Sequence, residues 1–124
     1  MSYSIDASTK FIRVTYSGTL DNNDIQGVLK DSLIVGRNEL NLINRIEDMR
    51  ELHGIKIGFD ELMDFAENLR TIQLPQIVKT AILTGNSLQY GIARMFQSIL
   101  EHQQMEIKIF SNEEEAYNWL LAKE

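Results

Sequence analysis

The last third of the chain switches twice from a strand pattern to a helix pattern, and this alternation limits the fold more than any other feature. The run Ile77–Thr84 is apolar with little alternation, which is typical of a central strand covered on both faces. A helix is predicted to follow the break at Gly85 and to extend through Gln103. A strand, Met105–Phe110, and a C-terminal helix repeat the order. These strands are predicted to be parallel, because a connection that contains a helix is long enough for a crossover.

The first two thirds of the chain supply the remaining elements. Tyr3–Asp6 and Phe11–Tyr16 alternate apolar and polar residues and are predicted to pair as a hairpin. An amphipathic helix is predicted to begin at the caps offered by Asp21–Asn23 and to end near Gly36. A third strand is predicted over Leu42–Met49, and a second helix follows it. The apolar face of that helix comprises Leu62, Phe65, Ala66 and Leu69.

The order of the elements predicts the fold class. Strands and helices follow one another as ββαβαβαβα, which predicts an α/β fold with helices packed against a mixed sheet. The chain has 124 residues, of which 44% are hydrophobic, so we expect one modest core and a single domain over residues 1–124. Ser111 and Glu114 have the spacing of a capping box and predict the start of the last helix.

Charge and composition exclude several classes of function. The net charge of -6 would repel a nucleic-acid backbone over most of the surface, so we expect no nucleic-acid partner. The chain has no cysteine, which excludes disulfides, thiolate metal sites and cysteine nucleophiles. Its first residues lack the features of a signal peptide, and no apolar run is long enough to span a bilayer. We therefore expect a cytoplasmic protein.

No arrangement of residues predicts an enzyme. Glu47, Asp48, Glu51 and His53 combine acidic groups with one imidazole, but their spacing matches no ligand motif, and a solvated acidic rim is the simpler interpretation. No serine occupies a Gly-x-Ser-x-Gly elbow, and neither histidine has a matched partner for hydrolysis. We therefore expect no catalytic residues, no metal ion and no cofactor.

The turn between the central strand and the next helix is a candidate site for an anion. Such turns offer free backbone N–H groups, and Asn86 and Ser87 lie there, with Arg94 two turns further along the helix. Tyr90 could stack on a ligand held at this place. Each residue also has a structural alternative: Asn86 or Ser87 caps the helix, Arg94 pairs with Asp48, and Tyr90 covers the edge of the core.

Four segments, taken in order, carry a resemblance to a known family. They are Tyr16–Gly18, Asp48–Leu52, Tyr90–Phe96, and Phe110 with Glu114–Leu120. With them the chain resembles the STAS superfamily, and specifically its SpoIIAA-like branch of small bacterial proteins related to anti-sigma-factor antagonists. The resemblance covers nearly the full length. It implies a mixed sheet with helices packed against it, no enzymatic activity and an unknown protein partner.

The resemblance also implies how the function differs from that of the antagonists. In those proteins a serine, preceded by aspartate, lies at the start of the helix after the third strand, and its phosphorylation switches binding to a kinase-like anti-sigma factor. The matching region here is Ile57–Glu61, and no serine or threonine lies between Leu52 and Asn68. The resemblance therefore implies a regulatory or scaffold binding module without this phosphorylation switch.

A second function follows from the similarity of the SpoIIAA-like architecture to the lipid-binding lobe of SEC14-type carriers. Residues 52–75 begin with an apolar loop that contains two glycines and would be the segment that opens. Its candidate ligand-binding residues are Ile55, Ile57, Phe59 and Met63. The partner would then be a lipid, another apolar small molecule or a membrane surface. The structural alternative is that these residues close over the core. A homodimer is a further open alternative.

Overall fold

The computed structural model describes residues 3–6, 11–28, 44–70, 78–101 and 105–122. Its five-stranded sheet has the order β1-β2-β3-β4-β5. The strands are β1 Tyr3–Asp6, β2 Ile12–Asp21, β3 Arg45–Lys56, β4 Val78–Leu83 and β5 Met105–Phe110. The helices are α1, described over residues 22–28, α2 Phe59–Arg70, α3 Ser87–Leu100 and α4 Glu113–Leu121. The predicted order ββαβαβαβα is confirmed.

The sheet is mixed, as the sequence predicts. β1 and β2 pair in antiparallel orientation, with Tyr3 opposite Tyr16 and Ile5 opposite Val14. The pairs β2–β3, β3–β4 and β4–β5 are parallel, because a helix lies in the chain between the members of each pair. Along β2, buried residues alternate with half-buried polar ones, which is the pattern of a strand with one face toward the core.

The two faces of the sheet are covered unequally. Helices α1, α2 and α3 pack on one face and form the larger apolar cluster, which includes Ile25, Phe65 and Phe96. Helix α4 packs on the other face around a smaller cluster. Successive residues of β4 point to opposite faces, so Ile82 joins the larger cluster and Ala81 the smaller one. β4 is therefore covered on both faces, which confirms the prediction for the central strand.

The third strand is longer than predicted. β3 continues past the predicted end at Met49 to Lys56, and β2 continues past Tyr16 to Asp21, because the two strands pair with each other along this length. The register shifts between Gly18 and Thr19, and Gly18 has a φ of 70°, which a residue without a Cβ adopts readily. The predicted glycine-hinged loop after residue 52 is thus a strand over its first half, and that prediction is wrong.

The ends of two helices also differ from the prediction. α3 ends at Leu100 and not at Gln103, with Glu101 as its C-cap. The side chain that caps α4 is Asn112, whose Oδ1 accepts from the backbone N–H of Glu115 at 3.1 Å, so the predicted cap at Ser111 is wrong by one residue. Amide oxygens cap as effectively as hydroxyls, and the spacing alone did not separate the two neighbours.

Several predicted boundaries lie outside the described residues. They are the end of α1 near Gly36, the strand starts at Leu42 and Ile77, and the part of the candidate opening segment at 71–75. Across the described ranges, no helix has both the length and the apolar character that crossing a membrane requires.

Candidate functional site

The carboxyl ends of the parallel strands carry the residues that the sequence singled out at the β4–α3 turn. A shallow depression of about 380 Å³ lies there. It is lined by Thr84, Gly85, Asn86, Ser87, Tyr90 and Ser111. We call these residues, together with Leu88 of the first turn of α3, the carboxyl-edge surface. In parallel sheets with helical crossovers, this edge collects the turns that lead from strand to helix.

Asn86 is the N-cap of α3. Its Oδ1 accepts a hydrogen bond from the backbone N–H of Gln89 at 2.9 Å, and its carbonyl accepts from the backbone N–H of Tyr90 at 3.0 Å. The cap satisfies one of the amide groups that every helix leaves unpaired at its start. The structural interpretation of Asn86 is therefore the one observed, and Ser87 follows it as the first residue of the helix.

Gln89 holds the carboxyl-edge surface in place, and the sequence analysis missed it. The side chain is buried and makes three hydrogen bonds. Its Oε1 accepts from the N–H of Gly85 at 2.6 Å, and its Nε2 donates to the carbonyls of Arg50 at 2.9 Å and Leu52 at 3.0 Å. The first turn of α3 is thereby fixed both to the β4–α3 turn and to β3. The sequence signal for Gln89 was its position three residues after Asn86, which is the Asn-x-x-Gln spacing of a capping box.

Asp48 is buried and forms an ion-pair network with partly exposed partners on the α4 face of β3. Arg13 Nη2 and Arg50 Nη2 donate to Asp48 Oδ2 at 2.7 and 2.8 Å, and Arg50 also donates its Nε and backbone N–H to Oδ1 at 3.0 Å each. Glu113 at the start of α4 pairs with Arg13 at 2.8 Å. Burial alone raises the pKa of Asp48, but hydrogen bonds from Arg50 and the charges of both arginines outweigh it, so the pKa lies below its ordinary value.

The predicted pair between Asp48 and Arg94 is wrong. Asp48 faces α4, whereas α3, which carries Arg94, packs on the opposite face of the sheet. Arg94 instead donates to Gln97 Oε1 at 2.5 Å on the exposed side of its own helix. Arg94 lies seven positions after Ser87, about 10 Å along the helix axis, so its guanidinium is not brought to the α3 N-terminus.

Tyr90 and Leu88 leave much of their apolar surface in solvent. Tyr90 is 52% exposed and Leu88 is 55% exposed, so Tyr90 does not cover the edge of the core. Within the described part of the chain, Phe59 and Leu121 are the other exposed large apolar residues. Leu121 lies at the opposite edge, since the neighbouring Leu120 carbonyl accepts from Asn44 just before the start of β3.

The candidate residues for an apolar ligand are divided between β3, the connection after it and α2. Ile55 belongs to β3, and both Ile55 and Ile57 are half-buried against the larger cluster. The structural alternative therefore holds for these two residues. Phe59 begins α2 and is 70% exposed, while Met63 is half-buried one turn later. The part of the opening segment that lies in β3, up to Lys56, is paired with β2 and does not supply the hinge that the second function needs.

The carboxyl-edge surface and the Asp48 network differ in what they offer to an outside molecule. Among the described side chains, no group of three or more histidine, aspartate or glutamate residues is placed to hold a metal ion. The arginines of the Asp48 network are committed to carboxylates. The carboxyl-edge surface offers an outside molecule an open depression with exposed apolar side chains beside it.

The comparisons with known proteins agree with this geometry. Residues 11–121 match the model of the SpoIIAA-like family. A search of curated proteins gave no match. Among solved structures, the fold is similar to that of an uncharacterized protein of the DUF3478 family with a SpoIIAA-like fold from Shewanella loihica PV-4. That match has a TM-score of 0.59 and 21% identity, and it covers 95% of this chain and 91% of that one.

Two structures of the anti-sigma factor antagonist SpoIIAA are also similar in fold. The unphosphorylated form gives a TM-score of 0.53 at 14% identity, over 98% of this chain and 99% of that one. The phosphorylated form of SpoIIAA, a Bacillus cell fate determinant, gives a TM-score of 0.54 at 15% identity, over 95% of this chain and 98% of that one. Because the family model extends over most of the residues, from β2 to α4, the chain belongs to the SpoIIAA-like family.

Proposed function

We propose that this protein is a non-enzymatic regulatory module that binds another protein through its carboxyl-edge surface. The observation that carries the proposal is the exposure of Leu88 and Tyr90, at 55% and 52%, on the first turn of α3. Large apolar and aromatic side chains that are held in place on a surface are typical anchors of protein interfaces.

The way this turn is fixed favours binding. Asn86 and Gln89 hold the start of α3 through four hydrogen bonds, so Leu88 and Tyr90 are presented on a fixed backbone. Association then orders little more than the side chains themselves, and less conformational entropy is lost. The depression beside them is shallow and open, a shape that suits a protein surface better than an enclosed small molecule.

The related structures support the proposal that the partner is a protein. SpoIIAA is named as an antagonist of an anti-sigma factor, which is a function exerted on another protein. It is also known in a phosphorylated form. The present chain has no serine or threonine between Leu52 and Asn68, where the resemblance places the phosphorylated residue. We therefore propose binding that is not controlled by phosphorylation at the start of α2.

The test compares what wild-type and altered protein retain from a lysate of the organism that encodes it. The altered protein carries Leu88→Ala and Tyr90→Ala together, and Leu121→Ala is the matched control, because Leu121 is 53% exposed at the opposite edge. Exposed substitutions of this kind change stability by about 0.5 kcal/mol or less. We expect a specific protein to be retained by wild type and by the control, and to be reduced at least about tenfold with the double variant. Equal retention by all three proteins contradicts the proposal.

A further inference from the structure

A second place in the molecule, independent of the carboxyl-edge surface, has the features of a small-molecule site. A cavity of about 80 Å³ lies between the sheet and helices α1, α2 and α3. Its apolar wall includes Val28, Phe65, Phe96 and Leu100. The strand residues at its polar side stand near the amino ends of β3 and β4, at the edge of the sheet away from the carboxyl-edge surface.

The polar side of this cavity holds two buried oxygen atoms without partners. Glu47 uses one carboxylate oxygen, Oε1, which accepts from Arg45 Nη2 at 3.2 Å and from Tyr16 Oη at 3.4 Å. Within the described residues, the other oxygen, Oε2, and the hydroxyl oxygen of Thr80 have no hydrogen-bond partner. Thr80 is 5% exposed. Most buried polar atoms in proteins are paired, so two orphans on one cavity wall call for an explanation.

One ligand molecule can form hydrogen bonds with both unpaired oxygen atoms. Thr80 pairs with Arg45 and Glu47 with Ile82 in the β3–β4 register, so Glu47 and Thr80 are diagonal neighbours about 7–8 Å apart on one face of the sheet, and both line the cavity. Arg45 already balances the charge of Glu47, so a cationic ligand would leave a net positive charge in an apolar site, and an anionic ligand would be repelled by the carboxylate. A hydroxyl group both donates and accepts, and it therefore matches a carboxyl oxygen and a threonine hydroxyl together.

We propose that this cavity binds a small neutral molecule that carries a hydroxyl group on an apolar body, with the hydroxyl between Glu47 Oε2 and Thr80 Oγ1. The apolar body contacts the side chains of the three helices. The size limits the occupant: an engineered cavity of about 150 Å³ holds benzene, and one water takes up about 30 Å³ in the liquid. The space thus fits a group of about four non-hydrogen atoms, such as a short alcohol, or two to three waters.

The test uses 1-propanol as the probe and methionine methyl groups as reporters in NMR. Met49 and Met105 line the cavity, whereas Met63 does not and serves as the internal control. With 1-propanol we expect saturable shifts of the Met49 and Met105 signals and a Kd in the millimolar range, as the small size of the ligand dictates. 1-Chloropropane has a similar body without the hydroxyl, and we expect it to bind at least about tenfold more weakly.

Thr80→Val keeps the shape of the side chain and removes the orphan hydroxyl. We expect about tenfold weaker binding of 1-propanol, because one hydrogen bond is lost. Thr15→Val is the matched control, since Thr15 pairs with Asp48 across β2–β3 and lies on the α4 face of the sheet. It should bind as wild type does. Equal affinity of the Thr80→Val protein overturns the proposal, and so do unmoved Met49 and Met105 signals, which indicate that the cavity holds ordered waters only.

Discussion

Replacing Gln89 with leucine removes three hydrogen bonds and leaves a side chain of similar size in the same buried position. The bond to the Leu52 carbonyl is buried, and the bonds to Gly85 N–H and the Arg50 carbonyl lie closer to solvent. A buried orphan carbonyl costs about 1–3 kcal/mol, and each bond whose partner regains water costs about 1 kcal/mol. Part of this loss is offset because leucine is more apolar than glutamine. We expect a net loss of about 3 kcal/mol in the free energy of unfolding.

The loss is measured by urea denaturation, followed through the fluorescence of Trp119 on α4 and through circular dichroism. With an m-value of about 1.5 kcal/mol/M, the midpoint should fall by about 2 M while m itself stays constant. The midpoint of thermal unfolding should fall by about 12 °C, since 1 kcal/mol corresponds to about 4 °C for a chain of this length. Unchanged m-values are required, because they show that the same two states are compared.

Gln97→Leu is the matched control on the same helix. The Gln97 side chain is half-buried and makes two hydrogen bonds: its Nε2 donates to the Ile107 carbonyl of β5 at 2.8 Å, and its Oε1 accepts from Arg94 on the exposed side of α3. We expect a loss of about 1 kcal/mol. If both variants lose the same free energy, the buried bonds of Gln89 contribute no more than the two more exposed bonds of Gln97, and the role assigned to Gln89 is refuted.

Two further predictions concern the ion-pair network and the β2–β3 register. Asp48→Asn should lower the free energy of unfolding by about 2 kcal/mol at neutral pH. The folded-state pKa of Asp48 lies below the ordinary value of 3.8. The stability difference between wild type and Asp48→Asn is therefore fully present above pH 3.8 and is lost as the pH falls through the folded-state pKa. A stability difference that stays constant in urea titrations from pH 7 to about 3 contradicts this prediction. Gly18→Ala should cost about 1 kcal/mol, since its φ of 70° strains any residue with a Cβ although no atom lies within 4 Å, and an unchanged urea midpoint would count against this reasoning.

The sequence predicted most of the fold because periodicity is a local property. Alternation in β2 and the continuous apolar run in β4 gave the correct element types, and the bounds of Tyr3–Asp6 and Met105–Phe110 agree with the structure. The second half of β3 was missed because Arg50, Glu51 and His53 resemble a solvated loop. These residues are in a strand because β2 offers a partner along the whole length, and pairing between distant segments leaves little trace in local composition.

The candidate sites divide in the same way. The sequence by itself determined the turn at Asn86, since strand, glycine and cap follow one another along the chain. Only the tertiary structure decided that Asp48 pairs with Arg13 and Arg50, because the partner of a side chain depends on the face and register of its strand. The cavity beside Glu47 and Thr80 is likewise a product of tertiary packing. Its space and its unpaired oxygens arise where three helices meet the sheet, and no local pattern encodes how closely separate elements fit together.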